Sequence, residues 1–272
     1  MSVSFDFTDR HVCVFGGTTG INFGIASAFA RHGANVSLAS RKQENVDAAV
    51  AELSAGGARV LGTTADVRDF DAVGRAFEMA CARFGKIDVL VSGAAGNFLA
   101  EANRLSPNGF KVVVDIDLNG TFHVMRQAFS HLASPGASVI NITAPQAVIP
   151  IRSQAHVCAA KAGVDQLTRV LAIEWGSSGI RVNAISPGPI AGTEGMRRLA
   201  PQDDDGVSPV QHLVPLGRLG TPDDIANLAM FLGSPAAAFV SGAIIPCDGG
   251  GAIDSIKPMI EAAAREQAEH SA

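Results

Sequence analysis

Short apolar runs alternate with longer helical stretches along most of the chain, and this alternation restricts the possible folds more than any other feature. The apolar runs predict strands at 11–15, 35–40, 59–65, 86–92, 137–143, 180–186 and 242–248. The stretches between them predict helices at 20–32, 43–55, 69–84, about 105–132, 155–176 and 222–233. Regular strand–helix alternation is typical of a parallel sheet with helices on both faces. We therefore predict an α/β fold built on a single doubly wound, mostly parallel sheet.

The chain has 272 residues, which suits one domain of this kind, and we expect residues 1–272 to form it. Two segments depart from the alternation. A loop-rich insertion is predicted at about 191–214, and an Ala/Glu-rich tail at about 254–272 is predicted to be helical.

Composition and charge argue against several functional classes. The net charge is −5 and no basic cluster stands out, so we expect no nucleic-acid partner. No apolar stretch approaches the roughly 18 residues of a membrane span, so no membrane association is expected. The cysteines and histidines lack metal-ligand spacing, so no metal is expected. Since the N-terminus has no apolar signal segment and the final His-Ser-Ala does not match a peroxisomal address, we expect a cytoplasmic location.

A glycine-rich turn, GGTTGINFG at 16–24, follows the first predicted strand and opens the first helix. Backbone N–H groups at a helix N-terminus bind phosphate, and small residues let the backbone approach it closely. A structural turn is the alternative, but the position in a βαβ unit favours a Rossmann-type dinucleotide site. Asn22 stands where a third glycine is usual. We predict that the turn contacts the pyrophosphate through Gly16, Thr18, Thr19, Gly20 and Ile21.

The second predicted strand ends in Ser40-Arg41-Lys42. Enzymes that use NAD usually place a carboxylate here to bind the ribose 2′-hydroxyl, whereas a 2′-phosphate requires a cation. We therefore predict that Arg41, helped by Lys42, selects NADP(H) over NAD(H). The alternative is an exposed basic helix start.

The chain resembles the short-chain dehydrogenase/reductase family over essentially its whole length. Asp66-Val67 matches the family's adenine-contacting pair, and SGAAGNF at 92–98 resembles the family segment after the fourth strand. Pro187-Gly188 matches the loop on the nicotinamide side. The resemblance implies further cofactor contacts from Asp66, Val67, Ala94, Ala95, Gly96, Thr143, Lys161, Pro187, Gly188 and Ile190.

The family's active centre usually contains Asn, Ser, Tyr and Lys, and this chain departs at three of the four positions. It contains no tyrosine at all. By spacing, Val157 occupies the Tyr position, Ala144 the Ser position and Asp117 the Asn position, while Lys161 remains. Valine cannot exchange a proton with a substrate oxygen as a phenol does. His156 lies one residue away, about 100° around a helix, so a packing contact is favoured over an acid.

One subgroup of the family, the 2,4-dienoyl-CoA reductases of the peroxisomal type, shares these departures. The resemblance implies NADPH-dependent reduction of 2,4-dienoyl-CoA to 3-enoyl-CoA in unsaturated fatty-acid β-oxidation. A conjugated thioester needs a proton on carbon rather than on an alcohol oxygen, so the tyrosine is not required. The shared segments are AAGNF (94–98), Asp-Ile-Asp (115–117), Ala144, HVCAAKAGVD (156–165) and PGPIAGTEGMRRL (187–199).

The same resemblance assigns roles to the two catalytic candidates. Lys161 would hold the nicotinamide ribose and supply positive charge, and Asp117 and Lys161 together would orient the water that protonates the dienolate. A structural role is the alternative for both. Aspartate has a poor propensity for the interior of a helix, which favours a functional reason for Asp117.

The substrate contacts are less specific. Asn97 would donate to the thioester oxygen or, equally well, cap a loop, and Phe98 would line the acyl chain. Arg197 and Arg198, in the insertion, would meet the CoA phosphates or form a solvated basic turn.

Other functions and the assembly stay open at this stage. The alternatives to an acyl-CoA substrate of the dienoyl type are a reductase of another enoyl or conjugated acyl thioester and a non-catalytic NADP(H)-binding protein. The family is commonly tetrameric through helices that correspond to 105–132 and 155–176. We therefore expect a homotetramer, with a dimer as second choice.

Overall fold

The computed structural model describes residues 4–199 and 209–253, with the side chains of 198, 199 and 209 outside that description. In this part of the chain, one seven-stranded sheet has the order β3-β2-β1-β4-β5-β6-β7, and all neighbouring strands are parallel. The predicted doubly wound α/β fold is confirmed. The strands are β1 (His11–Phe15), β2 (Asn35–Ser40), β3 (Val60–Thr64), β4 (Val89–Ser92), β5 (Ser138–Ile142), β6 (Arg181–Pro187) and β7 (Ile244–Cys247).

Helices cover both faces of the sheet, so the central strands β1, β4 and β5 are buried along their whole length. Ile25 and Phe29 pack with Met230 in the core on one face, and Phe77 packs with Met125 in the core on the other. The helices are α1 (Gly20–Arg31), α2 (Gln43–Ala55), α3 (Phe70–Phe84), α4 (Pro107–Val114), α5 (Gly120–Ala128), α6 (Ala155–Gly176), α7 (Glu194–Leu199) and α8 (Pro222–Gly233). Among the described residues, none of these helices combines the length and the apolar character needed to cross a membrane.

The single long helix predicted at about 105–132 is wrong in its detail. The helical path begins at Pro107 and ends at Ala128, and one π-helical turn, Asp115–Asn119, separates α4 from α5. At the start of α5, the hydroxyl of Thr121 donates to the carbonyl of Asp117 in the π turn at 2.7 Å, which competes with the backbone hydrogen bonds of the helix. Single π turns of this kind are frequent at functional sites.

Four strand predictions were too long, those of β3 and β5 by one residue at each end and those of β4 and β7 by more. β4 begins at Val89 rather than at 86, because Ile87 forms only an isolated bridge with Leu132, and β7 spans only Ile244–Cys247. The insertion contains α7 and a 3₁₀ turn, Pro209–Leu213. Residues 200–208 of the insertion and the predicted helical tail at 254–272 lie outside the described residues.

The topology positions a crevice at one edge of the sheet. The strand order reverses between β1 and β4, and the segments that leave the carboxyl ends of these strands separate there. In doubly wound sheets, ligands bind at such a switch point. The glycine turn after β1 and the loop after β4 therefore face the same space.

Candidate active site

A cleft of about 260 Å³ opens at this switch point. Eight of the predicted cofactor residues line it: Gly16, Thr18, Thr19, Arg41, Lys42, Val67, Ala94 and Ala95. Seven further residues that the sequence had not indicated also line it: Asn22, Ala39, Ser40, Asn45, Ala65, Gly93 and Ile116.

The glycine turn packs closely against the loop after β4. Gly16 has φ of +76°, and a Cβ atom there would lie 2.9 Å from the backbone nitrogen of Ala94. Asn22 donates from Nδ2 to the carbonyl of Gly93 at 2.7 Å and so ties α1 to the loop after β4. Its other side-chain atom, Oδ1, is buried without a hydrogen-bond partner. These residues fit the phosphate end of a dinucleotide.

The end of β2 supplies positive charge to the same cleft. Arg41 and Lys42 line it, and none of its lining residues is acidic. Asp66, the predicted adenine contact, does not line the cleft, because Arg68 binds its carboxylate through Nε and Nη2 at 2.5–3.1 Å. The guanidinium and the backbone N–H of Arg68, with a smaller effect from the charge of Arg41, hold the pKa of Asp66 below its usual value despite partial burial. Only Val67 of the predicted pair faces the cleft.

The structure brings the two catalytic candidates together. Oδ1 of Asp117 accepts a hydrogen bond from the backbone N–H of Gly96 at 2.7 Å, and Oδ2 lies 3.4 Å from Nζ of Lys161. Lys161 also donates to the carbonyl of Ile142 at 3.1 Å. Both side chains are buried, with 1% of Asp117 and 7% of Lys161 exposed. Four separate segments of the fold therefore meet at one buried ion pair.

The positions of the missing hydroxyls are apolar. Val157 is buried one helical turn before Lys161, and Ala144 begins a 3₁₀ turn after β5. Thr143, a predicted cofactor contact, is buried, and its hydroxyl has no hydrogen-bond partner. It does not line the nucleotide cleft.

A second buried carboxylate, not identified from the sequence, lies one turn beyond Lys161. Asp165 is 3% exposed, and burial raises its pKa. Three neighbours lower this pKa in part. The hydroxyl of Thr143 acts from nearby, although its geometry is not that of a hydrogen bond, and Arg169 and Lys161 act through their positive charge. No local sequence pattern could have indicated this carboxylate, because its burial depends on the packing of α6 against β6 and against the turn after β5.

Three side-chain amides, linked in series by hydrogen bonds, border the site. Gln146 donates to Oε1 of Gln154 at 2.9 Å, and Gln154 donates to Oδ1 of Asn97 at 3.4 Å. Gln154 is buried and immediately precedes α6. The sequence predicted Asn97 but neither glutamine, because the contact joins residues far apart in the chain. Next to Asn97, the ring of Phe98 packs edge-on against the ring of His156, with the ring centroids 4.5 Å apart.

The remaining predicted residues lie away from the cleft or deeper in the fold. Arg197 is exposed and pairs with Glu194 at 2.9 Å, whereas the side chain of Arg198 lies outside the described residues. Ile190 is buried and forms a bridge with Gly220. Also outside the lining of the cleft are Gly20, Ile21, Gly96, Lys161, Pro187 and Gly188.

Comparisons with known proteins agree with this architecture. A family model described as enoyl-(acyl carrier protein) reductase matches residues 16–251. A peroxisomal 2,4-dienoyl-CoA reductase of Arabidopsis thaliana, described as (3E)-enoyl-CoA-producing, is 42% identical over 247 residues, which cover 87% of this chain and 82% of the relative. A probable 2,4-dienoyl-CoA reductase of Bacillus subtilis, described as (2E)-enoyl-CoA-producing, is 39% identical over 244 residues, which cover 89% and 96%.

The fold comparison gives the same answer. The crystal structure of a short chain dehydrogenase from Bacillus anthracis matches with a TM-score of 0.80 and 37% identity, covering 91% of this chain and 98% of the other. The likeness therefore extends over nearly the whole of both proteins. The chain belongs to the short-chain dehydrogenase/reductase family of oxidoreductases.

Proposed function

We propose that the chain reduces 2,4-dienoyl-CoA to 3-enoyl-CoA with NADPH, in the oxidation of unsaturated fatty acids. The observation that carries this proposal is the buried pair of Asp117 and Lys161 beside positions 144 and 157, where no hydroxyl is present. A site of this kind has no group for alcohol–ketone exchange. It does retain charges that can direct a proton.

The chemistry of a conjugated thioester matches these residues. NADPH bound in the cleft would supply the hydride, and the far end of the diene would accept it while an electron pair moves through the conjugated system to the thioester oxygen. The resulting dienolate is neutralised by a proton on the carbon next to the thioester, which leaves a 3-enoyl product. The protein must therefore stabilise charge on oxygen and deliver a proton to carbon.

Asp117 and Lys161 would perform the proton delivery. The N–H of Gly96 holds one carboxylate oxygen, and the other has no hydrogen bond within the described part of the chain. That second oxygen and the Lys161 ammonium would orient a water toward the dienolate carbon. Lys161 would also bind the nicotinamide ribose, as it does by family resemblance.

The cofactor would bind along the cleft. Thr18, Thr19 and the backbone of the glycine turn would contact the pyrophosphate, and Arg41 and Lys42 would meet the 2′-phosphate. The support is the glycine turn that lines the cleft and the absence of acidic residues among those that line it. A carboxylate at the end of β2 would instead favour NAD(H).

On the substrate side, Asn97 and Phe98 would contact the acyl thioester, and Arg197 would contact the CoA phosphates. Gln154 fixes the orientation of the Asn97 amide through its hydrogen bond to Oδ1. Arg197 would have to exchange its ion pair with Glu194 for a phosphate.

A second candidate is the reduction of another enoyl or conjugated acyl thioester. The family model is described by an enoyl thioester substrate, and the Bacillus subtilis relative is described as giving a 2-enoyl product. Both would use the same cleft and ion pair. Reduction of an enoyl thioester differs from the proposed reaction in the carbon that accepts the hydride. Formation of a 2-enoyl product from the diene differs in the carbon that receives the proton.

A panel of substrates tests these candidates. NADPH oxidation would be followed with 2,4-dienoyl-CoA, 2-enoyl-CoA and a simple ketone, and the dienoyl product would be identified by chromatography. We expect turnover with the dienoyl thioester, a 3-enoyl product and no useful rate with the ketone. A 2-enoyl product or faster turnover of 2-enoyl-CoA supports the second candidate. No oxidation with any thioester would indicate a non-catalytic NADP(H)-binding protein.

We also propose a homotetramer. Apolar side chains on α4, α5 and α6 are exposed in the isolated chain, with Phe122 at 49% and Ile173 at 82%. Exposed apolar surface on neighbouring helices is typical of a subunit interface. Light scattering at micromolar concentration should give four times the mass of one chain. A monomer would contradict the proposal.

The cytoplasmic location stays a proposal that the comparisons do not support, since several relatives are described as peroxisomal. Imaging of a tagged chain in its native cell would test it. Signal confined to an organelle would contradict it.

A further inference from the structure

His156 is a buried histidine that has no hydrogen-bond partner at either ring nitrogen. An imidazole always carries at least one N–H donor, and leaving such a buried group unsatisfied costs about 1–3 kcal/mol. By contrast, the rings of four other histidines each have a hydrogen-bond partner in the protein: His11, His32, His123 and His131. Since both ring nitrogens are buried, the unsatisfied ring of His156 points to a partner that reaches it when the partly exposed ring of Phe98, which packs against it, moves aside on substrate binding.

The ring lies inside the candidate active site. His156 is the second residue of α6, directly before Val157, and its ring packs edge-on against that of Phe98. Phe98 belongs to the loop after β4, whose Gly96 donates to Asp117. The negative charge of Asp117 acts on the imidazole and raises its pKa. Two polar groups without hydrogen bonds, the ring and Oδ2 of Asp117, thus border the same region.

The environment favours an uncharged ring. Burial lowers the pKa of His156, and Asp117 and the backbone of Phe98 counter that effect only in part. The Phe98 backbone is close enough to influence titration, but no bond of acceptable geometry reaches the ring. The imidazole is therefore neutral at pH 7 and offers one N–H donor whose proton stays on nitrogen.

We propose that His156 donates a hydrogen bond to the thioester oxygen of the substrate and stabilises the charge that collects there after hydride addition. This inference rests on the proposed function. The site then has two separate functions: Asp117 and Lys161 direct the proton to carbon, and His156 binds the thioester oxygen. A fixed donor aimed at developing charge in a water-poor site contributes about 10²–10³-fold to a rate.

His156→Phe keeps the ring shape and removes the donor, and His156→Gln keeps a donor on a flexible side chain. The matched control is His131→Phe, since the His131 ring stacks on Phe77 far from the cleft. The first measurement needs no turnover: a dienoyl-CoA with a ¹³C-labelled carbonyl is bound together with NADP⁺, and its carbonyl stretch is recorded by difference infrared spectroscopy. The second measurement is kcat and KM with NADPH, alongside the NADPH dissociation constant.

In the wild type and in His131→Phe, the bound carbonyl should absorb at lower frequency than in water. His156→Phe should lose that shift and about 10²-fold in kcat, with KM and NADPH affinity changed less than about threefold. His156→Gln should recover part of both. If His156→Phe does not fold, His156→Leu, which also removes the donor, takes its place. An active wild type together with a normal carbonyl shift and a normal kcat in the folded variant that lacks the donor would overturn the role of His156 only. A wild type that neither binds nor reduces the dienoyl thioester would overturn the proposed function itself.

Discussion

The buried pair of Asp117 and Lys161 predicts strong coupling between two residues that are 44 positions apart in the chain. Three variants measure it: Asp117→Asn, Lys161→Met and the double variant. Asparagine keeps an oxygen for the N–H of Gly96 and removes the charge, and methionine keeps the length of the lysine stem. Each single variant therefore leaves one buried charge without its counter-ion.

The expected magnitude follows from the burial and from the bonds that survive. Breaking a buried ion pair by removing one partner costs about 3–5 kcal/mol. The carbonyl of Ile142 still accepts from Lys161, and Gly96 still donates to position 117. We expect about 3 kcal/mol for each single variant and a coupling of about 2–3 kcal/mol between the two changes.

Urea unfolding at one fixed protein concentration measures these free energies, because subunit association contributes to apparent stability. Trp175 is the only tryptophan of the chain, is 8% exposed and packs against Phe129, so its fluorescence reports on α6. NADPH titration of each variant shows that the fold of the cleft survives. A coupling below about 0.5 kcal/mol would show that the two groups are hydrated or apart in solution, and the water-orienting role would lose its basis.

Other changes test the cofactor and the electrostatics of the fold. Arg41→Ala should weaken NADPH binding by about 1–2 kcal/mol and leave NADH unaffected in fluorescence titrations; equal wild-type affinities for the two cofactors would contradict the assignment. Asp165→Asn should stabilise the fold at neutral pH. Because the pKa of Asp165 is raised in the folded protein, wild-type stability should fall as pH rises from the ordinary aspartate pKa through the raised one, by at most about 1.36 kcal/mol per pH unit. A pH profile of stability in the variant that runs parallel to the wild type would refute this. Asp224→Ala removes the capping box with Thr221 and two bonds from Arg218, at a cost of about 1–2 kcal/mol. Because Arg218 lowers the pKa of Asp224, this contribution is present at neutral pH and should disappear in strongly acidic unfolding experiments; a difference that persists there would contradict the reasoning.

Activity measurements separate stability from chemistry at the same pair. Asp117→Ala should lose about 10²–10⁴-fold in turnover of the dienoyl thioester while NADPH binding survives, because the carboxylate is assigned to proton delivery. Lys161→Ala should lose at least as much, since Lys161 is also assigned to the nicotinamide ribose. Near-normal turnover in Asp117→Ala would show that the proton follows another route.

The sequence determined the fold class and the general position of the cofactor cleft. Strand–helix alternation, a glycine turn after the first strand and a basic residue after the second are local patterns, and parallel topology then forces the strand ends to one edge. The loss of the tyrosine and serine at 157 and 144 was also visible, because family spacing alone defines those positions. The predictions failed at element ends and at the π turn, where side-chain contacts such as that of Thr121 with Asp117 change the helix locally.

Only the tertiary structure decided which of these residues meet. Gly96 with Asp117, Asp117 with Lys161, and Gln154 with Asn97 join segments that are distant in sequence, and no periodicity specifies such pairs. His156 shows the limit most clearly. Its position on a helix predicted a packing contact, and it does pack against Phe98, but the absence of partners for its nitrogens depends on how α6 and the loop after β4 enclose the ring. Local sequence sets what a side chain can do chemically, whereas packing sets what that side chain reaches.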